Sequence, residues 1–262
     1  MLANYHTHTY RCLHASGDDE EYVQKAIAEG LKILGFSDHA PYIYPNGFVS
    51  YYKMTPAGAD EYFSSICALR EKYKDKITIH IGYEAEYYPA LWQETLKFWE
   101  SKNTPEYLIL GQHFIREEYP AEQKIHSYSG IGDKSCLKTY VDTVTEGIAT
   151  GKFTYIAHPD VVSYHDGDLD YYREQMTRII KSAKAAGLPL EINLLGLAES
   201  RRYPNPHFWE IASQFSPEVI LGCDAHEPER VADKNEIAEA LRFADKYHLN
   251  VVEEVKLINP FA

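Results

Sequence analysis

The chain has 262 residues, 45% of them hydrophobic and 25% charged, with no low-complexity tract, a balance that supports a folded core and excludes a disordered or fibrous polypeptide. Its 39 acidic and 26 basic residues give a formal charge of −13, which disfavours non-specific binding to nucleic acid or to an anionic membrane. No apolar stretch is long enough to span a bilayer, the first residues lack a signal peptide's basic and apolar regions, and Cys12, Cys67, Cys136 and Cys223 form no CxxC pair; a reduced, cytosolic protein is expected, with any metal held by histidine and carboxylate.

Short aliphatic or β-branched runs alternate with segments of helical period. The first run, LANYHTH (2–8), carries His6 and His8; two residues apart, they share one face of a strand and can grip one ion. His14 follows a few residues later. DDEEYVQKAIAEG (18–30) predicts a capped amphipathic helix: Asp18 stands three residues before Glu21, Val23, Ala26 and Ile27 share a face, and Gly30 stops it. KILGFSDH (32–39) ends in Asp38 and His39, neighbours that start on opposite faces of a strand. APYIYPNGFVSYYKMTPAGA (40–59) has no clear period and predicts a loop over one end of the fold, where binding residues gather. Lys53, within it, reads as a solvated charge that could meet a phosphate.

The third run is KITIHIGYEAE (76–86). Its Glu84 closes an almost wholly apolar strand, where a buried carboxylate demands a cation or a hydrogen-bonding partner, while His80 reads as a packed interior residue. YLILGQH (107–113) and FTYIAHP (153–159) deliver His113 and His158, with Asp160 just beyond. DYYREQMTRIIKSAKAAG (170–187) predicts another helix and LPLEIN (188–193) a sixth strand. EVILGCDAH (218–226) predicts a seventh, whose Asp224 and His226 repeat the spacing of His6 and His8, and DKNEIAEALRFADKYH (233–248) predicts a last helix. His126, His165, His207 and His248 fall in polar loops or near helix ends and are assigned no metal. No GxGxxG or P-loop pattern supports nucleotide binding.

This strand-then-helix order favours a parallel sheet or barrel, and with no linker to divide it the chain reads as one domain, 1–262. In a barrel the strand C-termini converge on one face, the usual home of catalytic groups. Seven segments of this chain end there.

HTHTYRCLH, FSDHAPY, YEAEYY, GQHF, AHPD and LGCDAH resemble, in order and over nearly the whole chain, the motifs of the PHP (polymerase and histidinol phosphatase) family of metal-dependent phosphoesterases. The resemblance implies an α/β fold, a distorted (β/α)7 TIM-barrel-like barrel with three divalent metal ions at the strand C-termini. It implies His6, His8, Glu84 and Asp224 around the first ion, and Glu84, His113 and His158 around the second, with Glu84 as the bridge. His14, His39 and His226 then serve the third. Imidazole and carboxylate suit zinc, iron and manganese alike.

Within the family, EINLLGL, YPNP and LGCDAHEPERV are most similar to histidinol-phosphate phosphatases of histidine biosynthesis, although Leu194 and Leu195 stand where smaller or polar residues are expected. The implied reaction releases phosphate from L-histidinol phosphate through a metal-bridging hydroxide, with no phosphoenzyme. A nucleotide or sugar phosphate substrate, or a metal-binding module without turnover, are the alternatives. Three divalent ions among two carboxylates leave a positive local balance that attracts a small-molecule phosphate ester despite the acidic whole. The leaving alkoxide needs protonation or metal contact, for which Asp160 is a candidate acid or supporting hydrogen bond, and Arg201 and Arg202 are candidate substrate contacts.

Overall fold

Apolar runs punctuated by capped helices leave both faces of each strand to be covered, and a parallel sheet wrapped by helices is the arrangement that does so. The computed structural model describes residues 1–102 and 104–262. Its sheet has eight strands in sequential order, each parallel to the next: β1 (Ala3–Asn4), β2 (Ile33–Phe36), β3 (Thr78–Ala85), β4 (Tyr107–Leu110), β5 (Tyr155–Ile156), β6 (Leu190–Asn193), β7 (Glu218–Gly222) and β8 (Asn250–Val251). The sheet curls until the chain just past β1 meets the chain just past β7: Thr7 bridges Ala225 in parallel, and His8 N donates to Ala225 O at 3.0 Å. The seven expected strands therefore close on one another at their C-terminal ends. The two-residue β8, absent from the sequence reading, pairs only with the first residues of β7, at the opposite end.

Between the strands lie α1 (Asp19–Glu29), α2 (Gly58–Tyr73), α3 (Trp92–Ser101), α4 (Lys134–Ala149), α5 (Leu169–Ala186), α6 (Leu194–Ala198), α7 (Pro206–Ser213) and α8 (Lys234–Lys246). The caps read from the sequence form as expected. Glu21 Oε2 accepts from Asp18 N at 2.7 Å and Gly30 ends α1 in the left-handed conformation; Asp168, just before the run read as a helix, and Asp233 cap α5 and α8. Among the described residues no helix is long and apolar enough to cross a membrane.

The main core fills the space between strands and helices. A smaller cluster, including Tyr5, Tyr107, Ile109, Tyr155 and Ile220, fills the barrel interior, where Val252, Val255 and Leu257 of the C-terminal segment pack against it. Tyr107 crosses this interior. Fully buried, its hydroxyl donates to Tyr5 O at 2.8 Å and lies 3.1 Å from Phe36 O, tying three strand regions together. Replacing it by phenylalanine keeps the ring and strips a buried carbonyl of its donor, so Tyr107→Phe is expected to lower the unfolding free energy by about 1–2 kcal/mol. Urea denaturation measures this; an unchanged midpoint would show that the barrel is not held there.

Candidate metal centre

The strand ends deliver their polar residues to one point. At its middle is the Glu84 carboxylate, 1% exposed, at the end of β3. Its Oε2 lies 3.6 Å from His6 Nε2, 3.6 Å from His8 Nε2 and 3.0 Å from His39 Nδ1, while Oε1 lies 2.7 Å from His158 Nε2 and 3.5 Å from His113 Nε2. Asp224 Oδ1 completes the first group, 3.5 Å from His6 Nε2 and 3.0 Å from His8 Nε2. Donor atoms ~2.0–2.2 Å from a shared ion stand roughly 3.0–3.6 Å apart in tetrahedral or octahedral order. Four of the five spacings around Glu84 match that figure; the fifth, His158 Nε2 to Oε1 at 2.7 Å, is at hydrogen-bond distance.

His14, His39 and His226 form the third expected group, their donor atoms mutually within 4.8 Å. His39 is also grouped with His8 and Glu84, so it borders both sets. All nine sequence-derived metal candidates thus meet in one cluster. Local backbone geometry contributes: β1 stops at Asn4, and His158 and Asp224 adopt φ of 28° and 50°, values that strand periodicity does not anticipate. Left-handed backbone at non-glycine residues carries a conformational cost and clusters at functional sites.

The far nitrogens show which lone pairs face the cluster. His6 Nδ1 meets Glu191 Oε2 at 2.8 Å, His8 Nδ1 meets Asp38 Oδ1 at 3.4 Å, and His113 Nδ1 meets Glu86 Oε1 at 3.0 Å. His14 Nδ1 and His226 Nδ1 meet the backbone carbonyls of Cys12 and Asp224, at 2.8 and 2.9 Å. An acceptor at Nδ1 puts the proton there and leaves Nε2 bare. Accordingly His6 Nε2 and His8 Nε2 are buried with no hydrogen-bond partner among the described residues, as is Glu84 Oε2. His14 Nε2 and His226 Nε2 face one another at 3.0 Å, two lone pairs that repel unless a cation lies between them. The residues fit metal ions.

Glycines make room for the acids. A Cβ at Gly111 would overlap Glu84 Oε1, and one at Gly222 would overlap Glu191 Oε2. Charge also organises the group. Burial opposes ionisation of Glu84, yet His113, His39 and His6 outweigh it and hold the carboxyl well below its usual range; Asp224 is held down in the same way by His6 and His8. Without metal His6, despite burial, is pushed up to about 10 by Glu191, Asp224 and Glu84, so an ion at Nε2 takes the place of a proton, whereas burial brings His226 down to about 3.

Several partners were missed or left unassigned at the level of sequence, Glu86 behind His113 among them. Glu191 sits in an apolar strand, the same signal that exposed Glu84. Asn193, two residues on, donates to Glu191 Oε1 at 2.8 Å and to Asp224 Oδ2 at 3.0 Å. Asp38 orients His8 after all, because the chain leaves the strand at Phe36 and strand alternation no longer applies. Lys53, expected at the surface, is buried between Glu86 and Glu118, whose carboxylates offset its charge.

A cavity of about 910 Å³ opens over the cluster, with Tyr52, Phe114, Tyr128, Tyr203, Arg201 and Arg202 on its walls. Arg201 is paired with Glu199 at 2.7 Å and with the Tyr203 hydroxyl at 2.8 Å. Arg202 contacts Ser163 Oγ at 2.7 Å and the His165 ring, with no carboxylate within 4.0 Å among the described residues. Asp160 is buried, accepts from Asn205 N and from Trp209 Nε1 at 2.9 Å, and is pushed up to about 6 by burial. Leu194 and Leu195 begin α6; both are buried, and Leu195 reaches the cavity wall.

Comparison with known proteins locates this arrangement. The PHP domain model matches residues 4–194, a span that ends before Asp224 and His226. The chain is 28% identical to a probable histidinol-phosphatase of Deinococcus radiodurans over 255 residues, covering 93% of this chain and 90% of that one. It is 22% identical to the histidinol-phosphatase of Bacillus subtilis over 253 residues, covering 85% and 92%. In structure it resembles histidinol phosphate phosphatase from Lactococcus lactis, solved with zinc, L-histidinol and phosphate, with a TM-score of 0.71, 19% identity and coverage of 96% and 95%.

The orienting role of Glu191 is open to direct test. Glu191→Gln keeps the shape and removes the charge behind His6, and metal affinity is expected to fall roughly 10–100-fold. Elemental analysis after dialysis against a chelator of known affinity measures it; full retention would contradict the assignment.

Proposed function

The chain belongs to the PHP domain family, and from that premise we propose that it is a metal-dependent phosphomonoester hydrolase that converts L-histidinol phosphate to L-histidinol and phosphate in histidine biosynthesis. The single observation that carries the hydrolase reading is the bare-nitrogen cluster around Glu84, beneath a cavity sized for a small molecule. The substrate follows from the relatives named histidinol-phosphatase, which align over most of their length. The four cysteines are all free, in keeping with the reducing cytosol.

Three divalent ions, zinc, iron or manganese, would be held here: the first by His6, His8, Asp224 and Glu84, the second by Glu84, His113 and His158, and the third by His14, His39 and His226. Bound there, the ions supply an activated water for attack on phosphorus and neutralise charge on the phosphoryl oxygens. The chain's own residues do the rest. Glu84 keeps both carboxylate oxygens directed at opposite groups of imidazoles, so the two sets stay at fixed separation. Glu191, Asp38 and Glu86 hold the Nδ1 protons that keep His6, His8 and His113 in the metal-binding tautomer.

Arg202, free of carboxylate partners among the described residues, is the better placed of the two arginines to take a phosphate oxygen through its planar fork. Arg201 instead fixes Glu199 and Tyr203 on the wall. Tyr52 and Tyr128 offer exposed rings of the kind that flank an imidazole. Asp160, with Oδ2 engaged by Asn205 and Trp209, is assigned to anchoring the segment behind Tyr203 rather than to delivering a proton.

Protein reconstituted with zinc or manganese is expected to release phosphate from L-histidinol phosphate with a kcat/KM roughly 100-fold above that for nucleotide or sugar phosphates. Preferred hydrolysis of another ester would overturn the substrate, and no turnover of any ester would overturn the hydrolase reading. Asp224→Asn is expected to reduce both bound metal and turnover, the latter by roughly 100-fold or more.

A further inference from the structure

Lys53 is only 2% exposed, and its Nζ lies 2.7 Å from Glu86 Oε1 and 3.3 Å from Glu118 Oε2. Phe114 stands beside it, with the ring centroid 5.1 Å from the ammonium. A buried charge is tolerated only where geometry and partners are well satisfied, so a lysine here calls for a role. Glu86 Oε1, which accepts from Lys53, also accepts from His113 Nδ1 at 3.0 Å. Glu86 Oε2 has no hydrogen-bond partner among the described residues, so the direction of this buried carboxylate rests on the two donors at Oε1.

His113 has particular need of such a tether. Its side chain is 19% exposed, against 7% or less for His6, His8, His39 and His158, the other imidazoles that face Glu84. Those four are held by burial, with Glu191 and Asp38 also tethering His6 and His8; for the more open His113 the Glu86 hydrogen bond is what aims the ring. The anchor extends into the loop before α2, since Glu118 also accepts from Ser50 Oγ and from the Tyr44 hydroxyl, each at 2.7 Å. Three side chains of one loop therefore converge on the two acids behind His113.

Resting on the assignment of His113 as a metal ligand, we propose that Lys53 is a positioning residue for the second metal site. The ammonium fixes Glu86, Glu86 holds Nδ1 of His113, and the bare Nε2 is directed toward Glu84 Oε1, 3.5 Å away. Lys53 also borders the cavity, but its ammonium is engaged by the two acids, and it acts through metal retention.

The test uses metal-stripped full-length protein titrated with zinc against a chromophoric chelator, in the wild type, H113A, K53M and K53R. H113A identifies the class of site to which His113 belongs. K53M is expected to weaken that class alone, roughly 10–100-fold. K53R, which keeps the charge, is expected to bind more nearly like the wild type than like K53M. Wild-type titration by K53M, with the site lost in H113A, would overturn the relay while leaving the metal assignment intact. Equal weakening of every class in K53M would overturn it in favour of a general packing role. Wild-type titration by H113A would remove the ligand assignment and the proposal with it. If circular dichroism shows that K53M does not fold, K53Q is read by the same criteria.

Discussion

A buried carboxylate surrounded by imidazoles is the constraint on which the rest of this structure depends. Glu84 is out of water at the end of a central strand, and both of its oxygens face ring nitrogens delivered by five other chain positions. Such a group cannot remain charged in a protein interior without compensation. The parallel barrel supplies it, because all its strands run the same way and end at the same face. The closure between the residues beyond β1 and those beyond β7 then brings His6 and His8 against Asp224.

Around this centre the fold arranges acceptors rather than more ligands. Acids on β6, in the stretch after β2 and just after β3 take the outer nitrogens of His6, His8 and His113, and backbone carbonyls do the same for His14 and His226. Each contact settles a tautomer and a ring direction before any ion arrives, which is how an outer layer governs affinity. Glycines 111 and 222, where any side chain would overlap the carboxylates of Glu84 and Glu191, are part of the same construction. The acidic surface is no obstacle to an anionic substrate, because the field it meets in the cavity is that of the ions and arginines close by.

Much of this was legible from residue order. Histidines and acids recurring after apolar runs identified the barrel face and eight of the nine candidates, since strand ends in a parallel fold share a destination; His14, on the loop beyond the first run, came only with the family resemblance. Glu84 was legible for a physical reason: a charge in an apolar strand must have a partner. That reasoning applies equally to Glu191 in LPLEIN, where it went undrawn. Lys53 and Asp38 were harder. Lys53 lies in a Tyr-rich, aperiodic loop whose burial depends on Glu86 and Glu118, far away in sequence. Asp38 lies past the last residue of β2, so strand alternation, which sets it opposite His39, left it unassigned. Lone residues in left-handed backbone at His158 and Asp224 likewise come from tertiary closure and leave no trace in periodicity.

The claim that Glu84 bridges two metal ions is tested most directly by crystallography of the metal-loaded protein, with anomalous scattering recorded at the metal absorption edge. The account predicts one anomalous peak bounded by Glu84 Oε2, His6, His8 and Asp224, and a second bounded by Glu84 Oε1, His113 and His158. Ions bound elsewhere with Glu84 touching none of them, or a single ion across the whole cluster, would contradict it.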